Sequence, residues 1–284
     1  MPPRSTPTAR QERLGAELRK IRERAGVTAR AAATLLGTNP MQQSAYESGR
    51  SGISEERIRR LAAYCACDDR AYVDALVRMA NERDRGWWEE YRGIVAPSGL
   101  DLAEAEHHSE AIQTFQVAHI PGLLQTEDHM RATFRYVTPE ALHQDVDAYV
   151  AFRMNRQRII ADSLTATPYE AVIHEAALRI RVGGRKANNA QLSRILNLAE
   201  LAHVTVRILP FDTEDFAGAG HSMLYLYGTT RLLDTVQLDT GHGGEFRTAE
   251  PVLRQYRKQY ERVVGVALDP ATSRDFISRL VKEL

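Results

Sequence analysis

Cysteine is scarce in the 284-residue chain, which holds only Cys65 and Cys67. With a single residue between them they build neither a disulfide framework nor a C-x-x-C redox pair or zinc knuckle, and they read as the reduced thiols of a cytoplasmic protein. Long apolar runs are missing too. No stretch approaches the roughly 18 to 20 apolar residues that cross a bilayer, and Met1–Arg10 brings prolines and arginines without the apolar segment of a secretory leader. Net charge is also absent, because Lys+Arg and Asp+Glu both number 37. That zero conceals a division: residues 1–85 carry 16 basic and 11 acidic side chains, and the remainder 21 and 26. Eight basic residues from Arg4 to Arg30 face only Glu12, Glu17 and Glu23. A polyanion is the expected partner of the small basic part, and something else that of the acidic one. Apolar and charged contents of 43% and 26% exclude a disordered, collagenous or coiled-coil chain, and the length calls for two folded units.

In the first part, residues 1–10 read as a flexible basic arm. Leu14, Leu18, Ile21 and Ala25 then mark the buried stripe of a helix that Gly26 ends. Thr28 is the cap of a short second helix running to Leu36, Gly37 supplies a positive-φ stop, and Asn39 caps a third helix with Pro40 at its first position. A fourth helix follows Ser54 with Ile58, Leu61, Ala62 and Cys65 on one side. A fifth runs from Asp69 to about Arg83. Five short helices with a glycine-containing turn between the second and third, together with Thr28, Ala33, Leu36-Gly37, Ser44, Tyr46, the run Glu47-Ser48-Gly49-Arg50 and Ile58 and Leu61 after it, resemble the Xre or Cro type of helix-turn-helix domain over residues 11 to about 66, within a domain expected over residues 11–83.

That resemblance implies duplex DNA as the partner, with the third helix in the major groove. Carried over by position, the DNA-binding residues are Arg30, Asn39, Met41, Gln42, Ser44, Ala45 and Arg50. Gln42 can pair with adenine through two hydrogen bonds, Ser44 can donate or accept, and Met41 or Ala45 can touch a thymine methyl. Arg30, Arg50, Arg4 and Arg10 are left for phosphates. The sequence departs from the family's pattern at Ala29, Gln43 and Ala45, where glutamine, an aliphatic residue and arginine are common; Gln43 either disturbs packing or adds a contact. Such a domain reads one half-site, so a homodimer is expected, with Tyr64, Trp87 and Trp88 as candidate interface residues.

Residues 84–100 read as a linker with a helical piece, and Trp87 and Trp88 either dock outward or pack in their own core. From 101 the pattern mixes helices and strands. Asp101 to Ser109 reads as a helix, Ala111 to Ile120 as a strand or an interrupted one, and Thr126 as a cap for a helix towards Phe134. Thr138-Pro139 opens another through Tyr149, Phe152 and Ile159. Strands are expected at Tyr169 to Ile173, Val204 to Leu209, Ser222 to Tyr227 and Leu232 to Leu238, and helices around Leu253 to Val263 and Phe276 to Val281. The fold class is therefore an N-terminal all-α helix-turn-helix domain followed by a C-terminal α+β domain over residues 101–284.

The blocks Ile120-Pro121-Gly122-Leu123-Leu124-Gln125-Thr126-Glu127, Arg153 with Arg156-Gln157-Arg158, Glu175 with Leu178-Arg179, Gln191-Leu192 and Val204 to Pro210 resemble the C-terminal domain of WhiJ-like actinobacterial regulators. In that family an Xre-type domain precedes a long domain of poorly known function, sometimes described as antitoxin-like. The resemblance implies a transcriptional regulator answering to a small partner protein encoded nearby or to a small-molecule effector. Gln237-Leu238-Asp239 departs from the family, which has an aromatic residue and a glutamate there. Gln125, Arg153, Arg156 and Glu175 are the candidate partner or ligand residues. By chemistry alone, Arg153, Arg156 and Arg158 on one helix hold either Glu175 or an anionic ligand, and Pro121 to Thr126 is a turn that ends one element and caps the next. Catalytic signatures are missing. His107-His108-Ser109-Glu110 has two-ligand spacing without an H-E-x-x-H, Gly241-His242-Gly243-Gly244 lacks a phosphate-binding lysine, and there is no G-x-S-x-G elbow. No enzyme activity, cofactor or metal is expected. The alternative to a regulator is an antitoxin-like interaction module that neutralises a small partner and uses DNA binding for autoregulation.

Overall fold

Side-chain caps and left-handed glycines divide the first part of the chain into five helices. The computed structural model describes residues 6–82, 86–137, 146–161, 166–216, 221–240 and 243–283. Helix α1 (Ala9–Arg24) starts inside the expected arm: the Thr8 hydroxyl accepts from the Gln11 amide while the Gln11 side chain accepts from the Thr8 amide, a reciprocal capping box. Thr28 caps α2 (Ala29–Leu35), and the Asn39 Oδ1 caps α3 (Pro40–Glu47) by accepting from the Gln42 amide at 2.8 Å. Both helices close alike. After α2, Gly37 (φ +62°) and Thr38 donate to the carbonyls of Thr34 and Ala33; after α3, Gly49 (φ +72°) and Arg50 donate to those of Tyr46 and Ala45. These are paired Schellman closures, and they explain the glycine in Glu47-Ser48-Gly49-Arg50. Helices α4 (Glu55–Tyr64) and α5 (Arg70–Asn81) complete the set, with Asp69 capping the latter.

The apolar stripes of all five meet in one core that includes Leu18, Ile21, Tyr46, Ile58, Leu61, Tyr72 and Leu76. Helix α1 crosses the end of α3 with backbones in contact: a Cβ on Gly15 would lie 2.6 Å from the Tyr46 carbonyl oxygen, and one on Gly49 2.5 Å from that of Gln11. The same crossing is tied by charge. Arg22 donates through Nε and Nη2 to the two oxygens of Glu47 at 2.6 and 2.8 Å, and through Nη1 to the Val27 carbonyl. Gln43, buried to 1% exposure, donates to Glu47 Oε1 at 2.6 Å. The unusual glutamine therefore adds a contact to a buried ion pair. This helical unit comprises residues 1–87 and 229–233, and a second unit holds residues 88–228 and 234–284.

The second unit is built on six strands in the order β3-β2-β1-β4-β5-β6: β1 (Ala111–Gln116), β2 (Tyr169–His174), β3 (Val204–Leu209), β4 (Met223–Tyr227), β5 (Thr235–Thr240) and β6 (Gly243–Arg247). The first three run parallel, and β4, β5 and β6 add antiparallel neighbours beyond β1. The first strand thus ends at Gln116, short of Ile120. Two cores follow from the alternation of side chains. Ile112, Ala171, Ile173, Val206, Ile208 and Leu224 face helices α9 (Glu175–Arg179), α10 (Gly184–Leu198) and α12 (Pro270–Glu283); Phe115, Val172, Leu209, Met223 and Tyr225 face α11 (Glu250–Val266). Helices α6 (Pro97–His107), α7 (Glu127–Val137) and α8 (Val146–Ala161) complete the unit. The architecture is α+β with a mixed sheet, as the pattern of elements predicts. The helix start at Thr138-Pro139 lies outside the described residues. Trp88 is 4% exposed and packs against His107 and His108, with ring centroids 5.1 and 6.2 Å away, which resolves it as a core residue.

Candidate functional site

Helix α3 has two unlike sides. Gln43, Tyr46 and Glu47, at helical spacing, face inward and carry the buried contacts to α1. Met41 is 83% exposed, Ser44 is exposed beside it, and Ala45 is half-buried. Asn39 is exposed and spends its side chain on the helix cap. Gln42 is half-buried and donates from Nε2 to the Ser51 hydroxyl at 2.7 Å, which leaves its second amide hydrogen and its carbonyl oxygen available. Arg30 on α2 and Arg50 after α3 are exposed. Arg10 is engaged elsewhere, in an ion pair with Glu82, and Arg4 lies outside the described residues. The sequence-derived readers therefore fall on the exposed side of one helix, held in place by the Arg22–Glu47 pair behind it. That pair escapes a motif reading because its members are 25 residues apart.

The second unit contains a cavity of about 980 Å³ on the sheet face shared by β1, β4, β5 and β6. Register accounts for its polarity. Thr114 pairs with Ala171 on one side and with Leu224 on the other, and Leu224 pairs with Gln237, so this row passes from apolar residues under helices to Thr114 and Gln237 at the cavity. Gly244, opposite Asp239, leaves space there: a Cβ would come 2.7 Å from Gln237 Nε2.

Three of the four expected ligand residues, Gln125, Arg153 and Arg156, line this cavity; Glu175 does not. Glu175 instead accepts from Arg179 Nε at 2.5 Å and from the Phe211 amide. The carboxylate that holds one of the α8 arginines, Arg156, is Glu106 of α6, which accepts from its Nε and Nη2 at 2.8 and 2.6 Å. Burial disfavours charge on Arg156, but Glu106 outweighs it and the guanidinium is raised. Arg153 is differently placed. Its Nη1 donates to Gln125 Oε1 at 3.3 Å and its guanidinium lies 4.4 Å from the Phe134 ring centroid, while among the described residues no carboxylate forms an ion pair with it. Burial, followed by the charge of Arg156, pushes its guanidinium down to about 10, against an opposing pull from Asp239. His129, 3% exposed, also lines the cavity, and its buried Nδ1 has no hydrogen-bond partner among the described residues. Burial, then Arg153, then His119 pull its imidazole down to about 4.

Pro121 to Gln125 is both turn and wall. Gln125 Nε2 donates to the Ile120 carbonyl, Gln157 Nε2 donates to the carbonyls of Gly122 and Gln125, and Gln191 joins the Leu124 carbonyl to the Thr126 amide. Sequence reasoning passes over Glu106, His129 and Thr114, which no local motif marks. Among the described residues no three His, Cys, Asp or Glu side chains are grouped to hold a metal ion, and no helix of the described residues is long and apolar enough to cross a membrane.

Comparison with known families matches residues 13–76 to a helix-turn-helix domain and residues 100–279 to a domain of unknown function, DUF5753. No curated protein and no solved structure matches the chain. The second match spans well over half of the 284 residues, and the chain belongs to the DUF5753 family, with a helix-turn-helix domain ahead of the family domain.

Proposed function

Starting from that membership, we propose that the protein is a cytoplasmic, sequence-specific transcriptional regulator of the WhiJ-like kind that binds duplex DNA as a homodimer, catalyses no reaction and answers to a ligand through its second unit. The observation that carries the reading is the two-sidedness of α3. Its inner side is fixed by the Arg22–Glu47 pair and by the Gly15 and Gly49 crossings, and its outer side offers Met41, Gln42 and Ser44. A helix held this way can carry base contacts in the major groove, with Arg30 and Arg50 on the flanking phosphates. The cavity favours a small-molecule effector over a partner protein, since a concave, largely apolar volume with a few convergent polar groups is the form of a small-ligand site.

Selection of bound genomic fragments followed by titration tests this. Gln42→Ala should cost about 1 to 3 kcal/mol per half-site on the selected sequence and little on random DNA, whereas Arg30→Ala and Arg50→Ala should weaken both and flatten the salt slope. Equal losses on both DNAs for Gln42→Ala refute base reading through α3, and a monomer by light scattering with and without DNA refutes the dimer. Under the antitoxin-like alternative, a small neighbouring protein co-purifies in fixed stoichiometry and the second unit binds it without an effector.

A further inference from the structure

The cavity holds a charge that the chain itself does not neutralise. Its lining contains three guanidiniums, of Arg153, Arg156 and Arg181, against two carboxylates, of Glu106 and Asp239. Arg156 is spent on Glu106 through two hydrogen bonds, and Asp239 is exposed and accepts from Gln237. That leaves Arg181, which is exposed, and Arg153, which rests on a single long hydrogen bond to Gln125 and a ring face. A half-buried guanidinium without a carboxylate is costly unless something else supplies the counter-charge. Beside it the neutral His129 has a buried Nδ1 with no hydrogen-bond partner among the described residues, so two groups short of partners share one cavity.

We propose that this cavity binds a small organic acid, its carboxylate gripped by the Arg153 guanidinium and its apolar body lying along Leu102, Ile120, Leu123, Ala177 and Leu224. The inference rests on the ligand-responsive reading above and names the ligand's chemical class. The planar fork of arginine suits a carboxylate through two parallel N–H bonds. Three guanidiniums against two carboxylates leave one positive charge on the lining, which matches a monoanion more closely than a phosphate monoester of about −1.5 to −2; Arg181 and the α10 N-terminus at Gly183 lie on the same lining, so phenyl phosphate is the competing probe. The five apolar residues line the same volume, and about 980 Å³ is room for a molecule of drug size.

Melting of the full-length protein with phenylacetate and with octanoate, each against its uncharged amide at equal concentration, and with phenyl phosphate, tests the proposal. At least one acid should raise Tm in a dose-dependent way, its amide should not, and phenyl phosphate should bind more weakly. Arg153→Gln should weaken the acid roughly 30-fold or more, and Arg153→Lys, which keeps charge without the fork, should fall between. Gly244→Leu leaves Arg153 in place but puts a side chain on the same lining against Gln237, 2.7 Å from a Cβ there, and should also weaken binding, which keeps the test decisive should Arg153→Gln fail to fold. The proposal is overturned if neither acid shifts Tm, if the amides match the acids, if phenyl phosphate binds more tightly, or if Gly244→Leu and a folded Arg153→Gln bind as the parent does. DNA titration with and without the acid is read separately: an acid that binds and leaves DNA affinity unchanged upholds the site and refutes the ligand-responsive regulator.

Discussion

Replacing Glu47 by leucine removes the acceptor of three hydrogen bonds at once, from Arg22 Nε, Arg22 Nη2 and Gln43 Nε2. The side chains of Arg22 and Glu47 are each 9% exposed, so water does not substitute for the lost carboxylate. Arg22 retains the Val27 carbonyl and a 3.4 Å contact with Glu23. Breaking a buried pair by deleting one partner costs about 3 to 5 kcal/mol, and a unit of this size has roughly 4 to 12 kcal/mol in total. Glu47→Leu should therefore unfold a measurable fraction of the helical unit and abolish DNA binding with it. Arg22→Met combined with Glu47→Leu removes both charges and should recover most of the loss, giving a coupling of several kcal/mol in a double-mutant cycle. Hydrogen exchange read on peptides from α4 and α5 is the assay, because Ile58, Leu61 and Leu76 there are fully buried and report opening of this unit alone. A fall in their protection of less than about 1 kcal/mol for Glu47→Leu, or a double variant worse than the single, would refute the assignment of α3 orientation to this pair.

Local chemistry explains why the first unit is legible in sequence. Thr28, Gly37, Asn39, Pro40 and Gly49 each act within five residues of their own position, so caps and stops can be read without knowing the fold. Gly49 also meets Gln11 across the fold, and Gly15 acts only at such a distance. Within a helix it is a weak residue, and its reason emerges only when Tyr46 is found against it. The second unit is harder because its order is non-local. Nothing along the chain says that β1 lies between β2 and β4. Helix α10 escapes a periodicity reading because Asn188 and Gln191 occupy its inward side at 1% and 0% exposure, where they hold backbone groups of Leu178, Leu124 and Thr126. β6 begins Gly243-Gly244 and lacks a strand signal; its register comes from β5. The cavity is half-legible for the same reason: Arg153 and Arg156 stand out as charges on one helix, but Glu106 is 50 residues away from Arg156 and carries no motif.

Gly49→Ala should destabilise the helical unit by about 2 to 4 kcal/mol, from a left-handed backbone and a Cβ 2.5 Å from the Gln11 carbonyl, whereas Ala66→Gly, at φ +51° in the turn closing α4, should gain about 0.5 to 1 kcal/mol; denaturant midpoints decide both. Ser51→Ala frees Gln42 from its 2.7 Å bond and should weaken selected DNA by about 0.5 to 1 kcal/mol per half-site, leaving random DNA unaffected; an equal loss on both would show that Ser51 contacts phosphate instead. Finally, His129 makes the second unit sensitive to acid. Its folded pKa is depressed to about 4 from 6.5, so between those values the unfolded chain binds the proton more readily, and stability falls as pH drops. The loss begins near pH 6.5 and is complete below pH 4; at pH 5 it reaches about 2 kcal/mol of a total near 3. Urea titrations of the full chain at pH 7.5 and pH 5, followed by exchange in β1 and β4, should show this drop, and His129→Leu should reduce it by that amount. An equal drop in His129→Leu would mean that other groups titrate there and that the buried imidazole is not the acid-sensitive element.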